Sequence, residues 1–258
     1  LQQDAPADQR RAQAESQEDP WLRDNLLETA ALNERLIDHP PATLREACQF
    51  LAWFQSLDRM WGRGGALGQL DELLRPFYEQ DVAEGRITDD EEVIWYLASL
   101  FFNDTHYSQI GGPHPVDGHD VTSRISFLAL EAMRRLRIPI NIAVRVHPGL
   151  DDQLLRTAVE NLFADGTGCS YACSTGLDRG FARNGFPTQL ARLRAKVGCN
   201  WTALPGVEYC MQDVTRLCLV TPMVHAFRDM MVDSAEPSLD ELWQRYRRHL
   251  QQSVDTMK

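Results

Sequence analysis

A helix-rich α/β fold built on parallel strands is what this sequence predicts, and three observations predict it. Apolar residues recur at helix spacing in one segment after another. A single short run, Ile138 to Val146, is β-branched at nearly every second position, and its apolar character suits a parallel strand covered on both faces. Three glycine-bearing loops separate these elements, and a parallel α/β fold gathers such loops at one end of its strands, where sites form.

Composition supports a packed core. The 258 residues suffice for one large domain or two small ones, and 43% hydrophobic with 24% charged residues is ordinary globular usage. With 26 Lys+Arg against 37 Asp+Glu the net charge is −11, and no long basic run is present. The electrostatic footprint of a nucleic-acid or anionic-membrane binder is therefore missing, which leaves a small-molecule substrate or a protein partner. No stretch approaches ~18 uninterrupted apolar residues. Leu1 to Asp19 is polar rather than a charged-then-apolar leader, so a cytoplasmic protein is expected, with no membrane contact. The six cysteines, Cys48, Cys169, Cys173, Cys199, Cys210 and Cys218, read as reduced thiols. Cys169 and Cys173 lack a second pair to complete a zinc site, so no metal is expected.

The elements follow in order. Residues 1–20 show almost no apolar periodicity and read as a polar N-terminal segment, with a single domain over residues 21–258. Trp21 to Ile37 has helix spacing and is stopped by His39-Pro40-Pro41. Thr43-Leu44-Arg45-Glu46 is a capping box opening a second helix, which carries Cys48, Phe50, Trp53, Phe54 and Leu57 and is expected to be almost wholly buried. A four-glycine loop, Met60 to Gly68, precedes helical spacing from Leu70 to Gly85. Thr88 to Glu91 caps a further helix to about Asn103. The second loop, Gln109 to Asp117, leads to an amphipathic helix from Thr122 to Leu136 and then to the strand. Asp151 to Ala164 is helical, Gly166 to Gly180 is loop-like, and Thr188 to Lys196 is a short helix. A turn-rich segment, Val197 to Gly206, precedes two helices over about 213–231 and 238–256.

Cys199 is the residue of chemical interest. Gly198 before it and Pro205-Gly206 after it put it on a tight turn, which can present sulfur to a cavity. The plain alternative is a buried structural thiol, which suits Cys48, Cys210 and Cys218 on apolar helices better. A cysteine hydrolase would need a histidine base such as His119, His147 or His225.

The order of segments resembles the glycyl radical enzymes, the superfamily of pyruvate formate-lyase. The resemblance is carried by Leu44 to Phe50 with Gly68 to Tyr78, by Ile110-Gly111-Gly112 through Gly118-His119-Asp120-Val121-Thr122, and by the strand ending Val144-Arg145-Val146-His147. It continues through Val197-Gly198-Cys199 with Pro205-Gly206 and through Pro237 to Trp243. What the resemblance implies is half of a glycyl-radical-enzyme type α/β barrel: parallel strands wrapped by outer helices, with Cys199 on a loop at the barrel centre. It further implies that a glycyl radical takes the hydrogen of Cys199 and that the resulting thiyl radical attacks a small organic substrate.

By the same carry-over, Arg63, His119, Arg145, His147, Trp201 and Asp213 are the expected substrate-binding residues, and Arg63 suits an anionic group on the substrate. Each has a plainer reading: an exposed arginine, a satisfied strand end, loop packing or a helix cap. The only glycine after Cys199 is Gly206, so the radical glycine is expected on another segment or chain, installed by a radical SAM activating enzyme under anaerobic conditions. Trp201 stands where dehydratase-like members have a glutamate, and Asn200 where pyruvate formate-lyase has a second cysteine, so the substrate stays open. Exposed strand edges predict association with a complementary half-barrel, a glycyl-radical-bearing chain or a second copy. A non-catalytic scaffold derived from the same fold is the rival reading.

Overall fold

The computed structural model describes residues 5–60, 66–103, 107–166, 169–197, 201–204, 207–208 and 217–256. They fall into two compact units, divided between residues 210 and 211.

The first unit opens with a helical pair, α1 (Ala5–Glu15) and α2 (Pro20–Asp38). The polar segment expected up to residue 20 thus contains a helix. Ala7 and Ala14, two turns apart, form its buried stripe, and two small side chains leave no visible apolar period. Asp19 caps α2 by accepting the N–H groups of Trp21 and Leu22, and Pro20 occupies the first turn, where no N–H is needed.

The predicted capping box opens α3 (Leu44–Met60): Thr43 Oγ1 accepts the Glu46 N–H, and the Glu46 carboxylate accepts those of Ala42 and Thr43. This helix is not wholly buried. Leu44, Ala47 and Cys48 face the core, whereas Phe50, Phe54 and Leu57 are exposed, because α3 is apolar around most of its circumference and packs along one side.

Four short parallel strands form one sheet in the order β1 (Gly68–Gln69), β2 (Ser108–Ile110), β3 (Ile142–Val146), β4 (Ser170–Cys173). Between them run α4 (Leu70–Ala83), α5 (Asp90–Asn103), α6 (Arg124–Leu136) and α7 (Asp152–Asp165). Side chains from α3 to α7 share one core with Ile110, Ile142 and Val144, so these helices cover one face of the sheet. Sequential strand order with the crossovers on one face is the winding of a barrel segment; a doubly wound sheet would divide its helices between both faces. Phe101, Leu74, Ile125 and Met133 lie fully inside this layer, each contributing roughly 2–3 kcal/mol of burial.

The opposite face of the sheet is met by α8 (Ser174–Arg183) and by the antiparallel hairpin of β5 (Ala195–Val197) and β6 (Trp201–Ala203), with α9 (Thr188–Leu193) between them in the chain. The stretch read as loop-like from Gly166 to Gly180 therefore holds strand β4 and the start of α8, Ala195 and Lys196 are strand rather than helix end, and the strand expected from Ile138 begins at Ile142. The second unit pairs α10 (Val220–Asp233) with α11 (Leu239–Thr256). His249 Nε2 lies 2.7 Å from Asp229 Oδ2 between them. Among the described residues no helix is long and apolar enough to cross a membrane.

Candidate active site

Strand alternation sets the site. Ile142 and Val144 enter the helical core, so Ala143 and Arg145 turn to the inner face of the sheet. The parallel register aligns Gln69, Gln109, Ala143 and Ser170 in one row across all four strands, with Arg145 one step further along. An inner face lined by two glutamines, a serine and an arginine is polar, and it is tightly hydrogen-bonded.

Gln69 donates from Nε2 to the Gly111 carbonyl at 2.6 Å and to Asp71 Oδ1 at 2.8 Å. Gln109 donates to Gln69 Oε1 at 2.9 Å and accepts the Lys196 N–H at 2.9 Å, which fastens β5 onto β2. Asp71 is fully buried and receives four donors, the side chains of Gln69 and Ser126 and the N–H groups of Glu72 and Gly111. Burial nevertheless pushes its carboxyl up to about 6.

Arg145 is 5% exposed. Its Nη1 donates to the Arg192 carbonyl at 2.7 Å and reaches Gln69 Oε1 at 3.4 Å, and among the described residues it makes no ion pair with a carboxylate. Burial pulls its pKa down, while Asp178 and Asp71 oppose this at longer range. Arg145 lines a cavity of about 330 Å³ together with Gln109, Cys173, Arg194, Lys196 and Thr202. The two other cations there are engaged. Arg194 pairs with Glu208 and lies 4.0 Å over the Phe181 ring, and Lys196 Nζ donates to Ser170 Oγ at 2.7 Å.

His147 lines a second cavity, of about 350 Å³, with Gly118, Asp178, Thr188 and Arg192. Its Nδ1 accepts the Gly149 N–H at 3.3 Å, so Nε2 carries the proton and donates to Asp120 at 3.0 Å. Both ring nitrogens are thereby occupied within the protein. Asp178, which lines the same cavity, is raised by burial.

Of the residues predicted from sequence, Arg145 and His147 thus lie on the inner face but in different cavities. His119 is more than half exposed, hydrogen-bonded to Asp117, and lines neither. Trp201 opens β6 and pairs with Val197 across the hairpin, so residues 198–200, with Cys199 among them, form the connection between the two strands. Cys199, Arg63 and Asp213 lie outside the described residues. Cys173 lines the first cavity while Cys169 is core, and Cys218, read as a buried thiol, is exposed just before α10, where no layer covers it. Gln69, Asp71, Gln109 and Lys196 were given no role by sequence reasoning. A polar residue two positions before the Gly111-Gly112 pair was the available signal for Gln109.

A family model described as pyruvate formate lyase-like matches residues 3–257. Among curated relatives, isethionate sulfite-lyase of Nitratidesulfovibrio vulgaris is 29% identical over 60% of this chain and 21% of its own length. The probable dehydratase YbiW of Escherichia coli is 26% identical over 71% of this chain and 26% of its own. This chain therefore spans about a fifth to a quarter of those relatives. In fold it superposes on a Roseburia inulinivorans protein solved in a study of 1,2-propanediol dehydration, with a TM-score of 0.88 and 22% identity, over 98% of this chain and 36% of that one. The B12-independent glycerol dehydratase of Clostridium butyricum gives 0.83 and 18% identity, over 97% and 36%. The fold is thus a helix-rich part of a glycyl-radical-enzyme α/β barrel with parallel strands.

Proposed function

This chain belongs to the pyruvate formate lyase-like family of glycyl radical enzymes, and from that premise we propose that it is the cysteine-loop portion of a lyase or dehydratase that works on a small polar organic molecule in the Arg145 cavity. One observation carries this reading. The hairpin whose connection contains Cys199 is fastened by Gln109 to the inner face of the sheet, beside a cavity lined by a buried arginine that forms no ion pair with a carboxylate among the described residues.

A glycyl radical, when present, would supply an acceptor for the sulfur-bound hydrogen atom of Cys199. The residues of this chain then have three tasks. Cys199 gives up that hydrogen atom and takes one from a substrate C–H bond; the substrate radical loses a proton and the neighbouring group with its electron pair, and the product radical takes a hydrogen atom back from Cys199. Arg145 holds an anionic or hydrogen-bond-accepting group of the substrate, since a desolvated guanidinium gains most from such a partner. The sheet and hairpin keep water away and the reacting atoms in contact, which radical transfer requires. Trp201 follows the cysteine loop and cannot move a proton, so any acid or base lies elsewhere on this or another chain. The radical glycine is supplied by another segment or chain and installed by a radical SAM activating enzyme.

Anaerobic electron paramagnetic resonance tests the proposal. The chain, with its co-purifying glycine-bearing chain, is activated and challenged with isethionate, glycerol, propane-1,2-diol and trans-4-hydroxy-L-proline, which the names of its relatives and structural neighbours suggest. A glycyl doublet that one of these depletes in the native protein but not in Cys199→Ala supports the reading. A folded assembly that turns over substrate equally well with Cys199→Ala favours the scaffold instead.

A further inference from the structure

We propose that the turn bearing His114, Asp117 and His119 binds a divalent transition-metal ion of the zinc, cobalt or nickel class, at a site separate from the Arg145 cavity. His114 Nδ1 and His119 Nδ1 lie 2.8 and 2.6 Å from the same atom, Asp117 Oδ1. The two imidazoles stack with centroids 4.5 Å apart and 22° between their planes, so both turn the same edge to that oxygen. The three atoms lie within 4.8 Å of one another, and no other group of His, Cys, Asp or Glu among the described residues brings three such atoms so close.

The scaffold under them is stiff. Gly118 donates its N–H to the His114 carbonyl at 3.0 Å, and His114 donates to that of His119 at 2.7 Å. Pro113 and Asp120 form an antiparallel bridge at the base of the turn, and Asp120 is held in turn by His147 and by the Asp151 N–H. Gly118, at φ +79°, supplies the left-handed residue that lets the chain reverse between Asp117 and His119. An ion arriving here meets ligands already converged, so little ordering entropy opposes it.

The donor set selects the ion. Two imidazole nitrogens and one carboxylate oxygen suit borderline ions, whereas magnesium and calcium call for oxygen ligands throughout. An ion about 2.0–2.1 Å from each atom at tetrahedral angles would spread the present contacts by about 0.5–0.8 Å, which the exposed His119 ring can absorb. The Nδ1 protons that now face Asp117 would pass to Nε2, leaving a lone pair on each Nδ1 for the ion. Three protein ligands leave a coordination position open to water or an anion.

Isothermal titration of the metal-free chain with Co²⁺, read in parallel by the ligand-field absorption of the bound ion, tests this. One equivalent is expected. Affinity should fall by at least about 10-fold in His119→Ala and in His114→Ala, with unchanged melting of the metal-free proteins. Nitrogen-type ligand-field bands that vanish in both variants would locate the ion. Absence of binding up to millimolar Co²⁺, or binding by both variants as tight as by the native chain, overturns the proposal and leaves Asp117 as a hydrogen-bonding bridge. Neither result depends on radical chemistry.

Discussion

Gln109 accepts the backbone N–H of Lys196 at 2.9 Å, across 87 residues of chain. That bond joins a central strand of the parallel sheet to the hairpin that carries the cysteine loop. Because the same side chain also donates to Gln69, its two ends hold two parts of the inner face in register. Gln109→Leu would strand a donor in a covered site, at a cost of about 1–3 kcal/mol. Urea unfolding should show the loss, and limited proteolysis should cut the variant between residues 194 and 204 before the native protein. A variant as stable and as protease-resistant as the native chain would show that the hairpin is held by other contacts.

Two glycines with positive φ should differ sharply in tolerance. A Cβ on Gly85 meets nothing within 4 Å, so Gly85→Ala costs only the left-handed backbone, about 1–2 kcal/mol. On Gly112, at φ +107°, a Cβ would stand 2.8 Å from Arg145 Cβ, an atom fixed to the β3 backbone. Gly112→Ala is expected to lower the melting temperature well beyond Gly85→Ala, and equal melting would contradict this close approach.

Asp71 makes the stability depend on pH. Its carboxyl titrates near 6 when folded and near its ordinary 3.8 when unfolded, so folding takes up a proton between those values. Stability from this group is present below about pH 4 and is lost as pH rises through about 6. The advantage of the native chain over Asp71→Asn should therefore be larger at pH 4 than at pH 7 in denaturant titrations. An advantage that grows toward pH 7 would mean that the four donors outweigh burial.

Thiol labelling should sort the described cysteines by environment. Cys48 and Cys169 are buried and pushed up to about 12, so iodoacetamide at neutral pH should spare them until the chain unfolds. Cys173 and Cys218 are exposed, and the Thr221 hydroxyl lowers Cys218, so both should label in the native state, as peptide mass spectrometry would show. Early modification of Cys48 would contradict the packing of α3 against the core.

Much of the architecture was legible in the sequence because its signals are local. Thr43 and Glu46 are three residues apart and form their capping box whatever lies elsewhere. The alternation Ile142, Val144 against Ala143, Arg145 gave both the strand and its two covered faces. The segment quoted for the family resemblance around Gly111 and Gly112 proved to adjoin the inner face, with Arg145 pressed against Gly112. Local signals misled where side chains were small or apolar on every side: Ala7 and Ala14 hid a helix, and Phe50, Phe54 and Leu57 promised a burial that α3 does not have.

What the sequence by itself determined was the succession of helices other than α1 and α8, a strand ending at Val146, which it began four residues early at Ile138, and the family to which they point. Tertiary structure alone decided the rest. β1, β2 and β4 are two to four residues long, too short to carry a period of their own, and exist because β3 and its neighbours pair with them. The polar row of Gln69, Gln109, Ser170 and Arg145 likewise arises only when parallel register aligns distant segments. Hydrogen bonds between residues 40 and 87 positions apart depend on which surfaces packing brings together, and no local pattern records that.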